Sequence, residues 1–272
     1  MRAPRYRLRL LLVAAFALAA TFAVVASACD GDGDERERLT VFAAASLTEA
    51  FTEAAARFEE DHPYDVTFNF AGSPALRAQL DQGAQADVYA TADDENMQAA
   101  LDAGLVEAPP VTFARNRMVI IVPAGNPGDI HLLPDIGTPG LRTVLAAPDV
   151  PAGRYAREVL DKIAADEGFV PGIRETVLAN VVSEEPNVKA IVTKVQLGEA
   201  DIGFVYATDV TPEIEDEVRV VEIPLDYNVD AAYPIAVTSE AANPEGAQAF
   251  VDFLLSDDGQ DILAKHGFER AS

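Results

Sequence analysis

The 272-residue sequence has no tryptophan, one cysteine, three histidines and only 20 basic residues against 45 acidic ones. A formal net charge of -25 argues against a nucleic-acid partner, because such binding needs basic surface. His62, His131 and His266 are scattered, and none has a metal-ligand partner at short spacing. There is no G-x-S-x-G elbow and no phosphate-binding G-x-x-x-x-G-K, so neither familiar catalytic signature is present. Internal repeats and low-complexity tracts are missing from residue 39 onward. What is plentiful is apolar: 49% of the residues, enough for a large core in one or two domains. The acidic excess by itself reads as solubility.

The N-terminus has a different character. Arg2, Arg5, Arg7 and Arg9 precede the apolar run "LLLVAAFALAATFAVV" and then "ASAC", the layout of a secretory signal. The single cysteine, Cys29, stands where a lipoprotein signal is cut and the new N-terminus acylated, with Ala26 where a lipobox more usually has leucine. Residues 1–28 are therefore predicted to be a lipoprotein signal peptide. An uncleaved membrane helix is the rival reading. Cleavage removes four of the 20 basic residues and none of the 45 acidic ones, taking the net charge from -25 to -29. With Cys29 lipidated no thiol remains, so disulfides and cysteine chemistry drop out. Residues 29–38, "CDGDGDERER", read as the lipidated cysteine and a flexible acidic tether.

From Leu39 onward strands and helices alternate. "LTVFAAA", "DVTFNF" and "ADVYATA" read as strands, separated by helices over "LTEAFTEAAARFEEDH" and "PALRAQLDQG". A second series follows "RMVIIVPAGNPGD": the strand "RTVLAAP", two helices and the strand "DIGFVYATD". "DAAYPIAVT" is a late strand, before a long helical region expected to break near Gly259. The alternation predicts an α/β protein of βαβ units with mostly parallel sheets. Its two lobes are assigned as 39–117 plus 234–272 and 118–233, with a ligand cleft between them at the carboxyl ends of the strands.

Four helix starts are candidate anion donors, since first-turn N–H groups lack partners and carry the positive end of the dipole. Ser46-Leu47-Thr48-Glu49 reads as a capping box. In Gly72-Ser73-Pro74, Ser73 reads as an N-cap and Pro74 as the first helical residue. Pro151-Ala152-Gly153 and Glu185-Pro186-Asn187-Val188 are the other two. Each alone most simply caps a helix.

The blocks "VFAAASLTEAF", "NFAGSPALRAQL", "GAQADVYATAD", "PAGRYAREVL" and "GEADIGFVYATD" occur in the order found in the molybdate-binding proteins of bacterial ABC transporters, which the chain resembles over about residues 39–270. The resemblance implies a two-lobed periplasmic-binding-protein fold of the type II kind. It also implies an extracytoplasmic, membrane-anchored or periplasmic location and an ABC-transporter permease as partner. The ligand would be molybdate or tungstate, held through its oxygens by neutral hydrogen bonds with no direct protein ligand to the metal. Carried over by motif position, Ser46 and Ser73 donate through hydroxyl and N–H, Ala152 and Val188 through N–H, and Tyr206 through its phenol. No catalytic residue, no cofactor and a monomer are expected. The segment "SEEPNVKA" around Val188 and the Gly72-Ser73-Pro74 turn depart from the commoner family pattern. A neutral site reconciles an acidic protein with an anionic ligand. Roughly seven charge-assisted hydrogen bonds at about 1.5–3 kcal/mol each oppose the desolvation of the dianion.

Other readings remain open at this level: a sulfate or phosphate binder with the same lobes, an anion sensor with no transport role, a ferric-iron binder or an enzyme. Sites for ferric iron commonly use neighbouring tyrosines, and Tyr206 stands alone in its segment. Arg154 and Lys189 lie beside proposed donors and are not assigned as ligands. Phe42, Phe51, Phe58, Phe68 and Phe70 have core spacing, and "EIEDE" at 213–217 reads as a solvated loop.

Overall fold

A computed structural model describes residues 36–107 and 109–271. The predicted signal segment and Cys29 lie outside the described residues. The first half-lobe runs β1 (Glu37–Ala44), α1 (Thr48–Asp61), β2 (Tyr64–Ala71), α2 (Ser73–Asp81), β3 (Val88–Ala90), α3 (Asp94–Asp102) and β4 (Val111–Asn116). The chain then crosses to a second lobe of β5 (Met118–Pro123), β6 (Thr143–Ala146), α4 (Pro151–Ala164), α5 (Ile173–Ala179), β7 (Val181–Glu185), α6 (Val188–Gln196), β8 (Ile202–Tyr206) and β9 (Val218–Glu222). It returns through β10 (Ala231–Val237), α7 (Pro244–Leu255), α8 (Asp257–Lys265) and β11 (Glu269–Arg270). Among the described residues no helix is long and apolar enough to cross a membrane.

This is the expected two-lobed α/β fold, with sheets that are mixed. The first sheet has the order β11-β4-β10-β3-β1-β2. β1 runs parallel to β2 and β3, while β10 is antiparallel to β3 and β4. The second has the order β7-β6-β8-β5-β9. β6 is parallel to β7 and β8, and β5 is antiparallel to β8 and β9. Apart from the short terminal β11, the strands that run against their neighbours are β5 and β10, through which the chain enters each lobe from the other. Helix crossovers impose parallel pairing, and these crossing strands have none.

Three boundaries differ from the sequence reading. β1 begins at Glu37, inside the segment assigned as tether, because Glu37 N–H donates to Pro63 O at 3.0 Å and pairs beside Tyr64. β10 begins at Ala231, so Ala231–Tyr233 lie in the first sheet. The C-terminal helical region breaks at Ser256, not Gly259. Ser256 is extended (φ -69°, ψ 167°), and its hydroxyl caps α8 by accepting from Gly259 N–H at 3.3 Å.

The helices bury their apolar stripes against the sheets. Phe51 and Phe58 of α1 are fully buried. They meet Phe250 of α7 with ring centroids 5.9 and 5.3 Å apart, and Phe51 lies 5.5 Å from Phe113 of β4. This aromatic cluster joins the C-terminal helices to the first lobe. Burying one such ring stabilises by about 1.5–3 kcal/mol, so α1 is held firmly beneath the turn that carries Ser46.

Candidate functional site

Each of the five candidate residues lies at, or just beyond, the carboxyl end of a strand that runs parallel to a neighbour. Ser46 follows β1, Ser73 follows β2, Ala152 follows β6, Val188 follows β7, and Tyr206 ends β8. That is where ligands of open α/β sheets sit. All five line one small cavity between the lobes, together with Gly72, Ala92 and Asn187. The small side chains there leave room for a compact guest.

The helix starts are built differently from their sequence reading. Ser46 does not cap α1: it lies in a 3-10 turn, Ala45–Leu47, and the N-cap position is Leu47. The capping box does not form, because Thr48 Oγ1 turns back to Ala45 O at 2.7 Å and Glu49 reaches to the other lobe. Ser73 is the first helical residue of α2, with Gly72 as N-cap and Pro74 one place further in. Pro186 stands before the N-cap of α6. Asn187 holds that position and accepts from Ala190 N–H at 3.1 Å. Ala152 and Val188 occupy first-turn positions of α4 and α6, where a backbone N–H has no acceptor within its own helix.

The hydroxyls follow from their partners. Ser73 Oγ accepts the backbone N–H of Ala92 at 3.2 Å, so its own proton is left for the cavity. Ser46 Oγ lies 2.9 Å from Tyr233 Oη. Tyr206 is 1% exposed, and its Oη has no hydrogen-bond partner among the described residues. Desolvation pushes the Tyr206 and Tyr233 phenols well above their ordinary range, with neighbouring acidic groups adding to the shift. Both stay neutral, and Tyr206 remains a donor.

Tyr206 stands alone in the sequence but not in space. Its ring meets those of Tyr233 and Tyr155 edge-on, with centroids 5.7 and 6.4 Å apart. Among the described residues no group of three His, Cys, Asp or Glu could hold a metal ion.

The two cations beside the donors are taken up by carboxylates. Arg154 of α4 pairs with buried Asp93, the N-cap of α3, and lies 3.1 Å from Glu95. Lys189 of α6 pairs with Glu49 of α1 at 2.8 Å. Both pairs cross from the second lobe to the first. Backbone contact brings the lobes equally close: a Cβ on Gly72 would lie 2.3 Å from Pro186 O. At Gly153 a Cβ would lie 2.1 Å from Ala147 O, so only glycine lets the start of α4 approach the end of β6.

Sequence reading missed Tyr233 and Asn116. Tyr233 looks like an ordinary core aromatic in a strand. One signal was available: Pro234 sits inside that strand, and proline within a sheet marks an edge or a bulge. The register does shift between Tyr233 and Pro234, and such irregularities re-aim side chains.

A model of the bacterial extracellular solute-binding protein family matches residues 39–269. The chain is 38% identical over 246 residues to the molybdate-binding protein ModA of Mycobacterium tuberculosis, covering 90% of this chain and 89% of that protein. It is 31% identical to the Escherichia coli molybdate-binding protein ModA, covering 92% and 94%. Similarity to a putative ABC transporter substrate-binding lipoprotein of Bacillus subtilis, YvgL, is 27% over 87% and 88%. Among solved structures, the substrate binding domain of a putative molybdenum ABC transporter from Clostridium difficile superposes with a TM-score of 0.64 at 28% identity, covering 86% and 99%. The periplasmic molybdate-binding protein of Azotobacter vinelandii gives 0.74 at 18% identity, covering 86% and 100%. The sulfate-binding protein SubI of Mycobacterium tuberculosis gives 0.75 at 19%, covering 87% and 88%. The last two share only the fold, and their near-equal scores show that the fold does not select the anion.

Proposed function

The chain belongs to the bacterial extracellular solute-binding protein family, and from that premise we propose that it captures molybdate or tungstate outside the cytoplasm and hands it to the permease of an ABC transporter. The carrying observation is the convergence of Ser46, Ser73, Ala152, Val188 and Tyr206 on one small cavity between the lobes. Three hydroxyls and two first-turn N–H groups suit a fully ionised tetrahedral oxyanion, which accepts hydrogen bonds at every oxygen. The relatives' molybdate binding favours molybdate over sulfate. Binding and delivery need no chemical step, no cofactor and no second copy of the chain.

Burial raises the value of each donor. A hydrogen bond to a charged partner contributes about 1.5–3 kcal/mol, and the low local dielectric strengthens it. The acidic surface does not cancel this, because salt screens exposed charges beyond ~10 Å at 0.1 M.

Titration calorimetry with molybdate, tungstate, sulfate and phosphate tests the reading. One-to-one binding of the first two, far tighter than the others, is expected. Sulfate or phosphate binding as tight as molybdate overturns it. The lipoprotein named in Bacillus subtilis supports Cys29 as an acylation site here. Cys29→Ser is then expected to free the protein from the membrane fraction or to block its maturation, and equal retention argues for a helical anchor.

A further inference from the structure

A chain of buried hydrogen bonds runs behind Ser46, and its polarity is set at one end. The backbone N–H of Arg117 donates to Asn116 Oδ1 at 2.9 Å. A backbone N–H only donates, so the carbonyl side of the Asn116 amide must face it. The amide nitrogen is thereby turned to Thr208 Oγ1 at 2.8 Å and to Tyr233 Oη at 3.4 Å. Tyr233 Oη accepts that proton and has one of its own, with Ser46 Oγ 2.9 Å away as its acceptor. Ser46 then accepts from behind and has its only proton left for the cavity. Asn116, Tyr233 and Ser46 are 3%, 0% and 3% exposed, so the sequence is shielded from bulk solvent.

Resting on the oxyanion-binding reading above, we propose that Asn116 and Tyr233 are positioning residues that hold Ser46 as an obligatory donor toward the ligand. Ser73 receives the same polarity from the backbone N–H of Ala92, which no side-chain substitution removes. The relay behind Ser46 is made of side chains and is open to mutation. Its consequence is selectivity by protonation. An anion that carries a proton, such as hydrogenphosphate, needs an acceptor in the cavity, and a serine that is already an acceptor from behind presents none.

The test is a double-mutant cycle on the full chain, with molybdate as the probe. Tyr233→Phe keeps the ring and removes the relay hydroxyl. It is expected to weaken molybdate binding about 5- to 10-fold in the parent and less than 2-fold in a Ser46→Ala background, because Tyr233 acts through Ser46. It is also expected to narrow the ratio of molybdate to hydrogenphosphate affinity, since the freed Ser46 hydroxyl then rotates to accept a proton. Equal losses in both backgrounds, or an unchanged ratio, overturn the inference. If Tyr233→Phe does not fold, Asn116→Ala carries the same cycle with the same expected coupling. Failure of the parent to bind molybdate would overturn the functional reading instead. The cycle repeated with whichever of the four oxyanions the parent binds decides the relay separately.

Discussion

Lys189 of the second lobe places its ammonium 2.8 Å from each carboxylate oxygen of Glu49 in the first, and 3.5 Å from Asp209 of its own lobe. The pair ties the two lobes together one residue from Val188. It therefore bears on how long a ligand stays bound rather than on how it is recognised. Glu49→Gln removes the crossing charge and leaves Lys189 its Asp209 partner. Partly exposed pairs contribute about 0.2–1 kcal/mol, so the variant is expected to dissociate ligand about 2- to 5-fold faster with little change in association. Inert salt is expected to speed association by screening the acidic surface and to raise the parent's dissociation slightly, leaving affinity nearly flat. Stopped-flow tyrosine emission measures both rates, as the chain has no tryptophan. A steep loss of affinity with salt would point to cationic donors instead.

Ser46→Ala and Ser73→Ala are each expected to weaken molybdate binding by about 1–3 kcal/mol, through loss of a donor to a buried charge. Neither serine is a helix N-cap, so no cap is lost with either. Parent-like calorimetric affinity in both variants would reduce these residues to packing.

Tyr206→Phe separates function from stability by sign. Its hydroxyl has no hydrogen-bond partner among the described residues, and an unpaired buried polar group costs about 1–3 kcal/mol. The ligand-free variant is expected to melt at or above the parent temperature while binding molybdate at least 5-fold more weakly. A fall in both would mean that the phenol serves the fold.

Gly72→Ala isolates closure. Gly72 has φ -64°, a conformation alanine adopts freely, so the open protein is expected to keep its stability. Across the cleft the new Cβ would meet Pro186 O at 2.3 Å. Affinity is expected to drop more than 10-fold, read by calorimetry. Small-angle scattering with saturating molybdate is expected to show an incompletely compacted particle.

Asp209 supplies a pH dependence of known sign. Burial raises its carboxyl to about 6, against the opposing pull of Lys189 and the Tyr206 N–H. The folded protein thus binds this proton at higher pH than the unfolded chain does. This contribution to stability grows as pH falls through about 6 and is complete below the unfolded value near 3.9. Relative to Asp209→Asn, the parent is expected to gain on the order of 1–3 kcal/mol between pH 7 and pH 4. Urea melts at the two pH values measure it, and a difference that does not change with pH would exclude the titration.

Local chemistry was readable without coordinates. The apolar spacing of Phe51, Ala54, Ala55 and Phe58 made α1 a helix, and all four are buried as that spacing requires. Gly83 and Gly104 end α2 and α3 with φ of 85° and 69°, where a side chain would be strained. The small residues after β1 and β2 marked turns at strand ends, and the α/β alternation placed those ends together. These features depend on neighbours within a few residues, so sequence alone determined them. The tertiary structure decided what lies far apart along the chain. Ser46 meets Tyr233 across 187 residues, Lys189 meets Glu49 across 140, and Arg154 meets Asp93 across 61. Apart from Pro234 beside it, no local pattern distinguishes Tyr233 from a core aromatic, and none distinguishes Arg154 from a cation aimed at the ligand. A hydroxyl becomes a donor or an acceptor only through the partner that folding brings behind it, and a cation attracts an anion only if no carboxylate reaches it first.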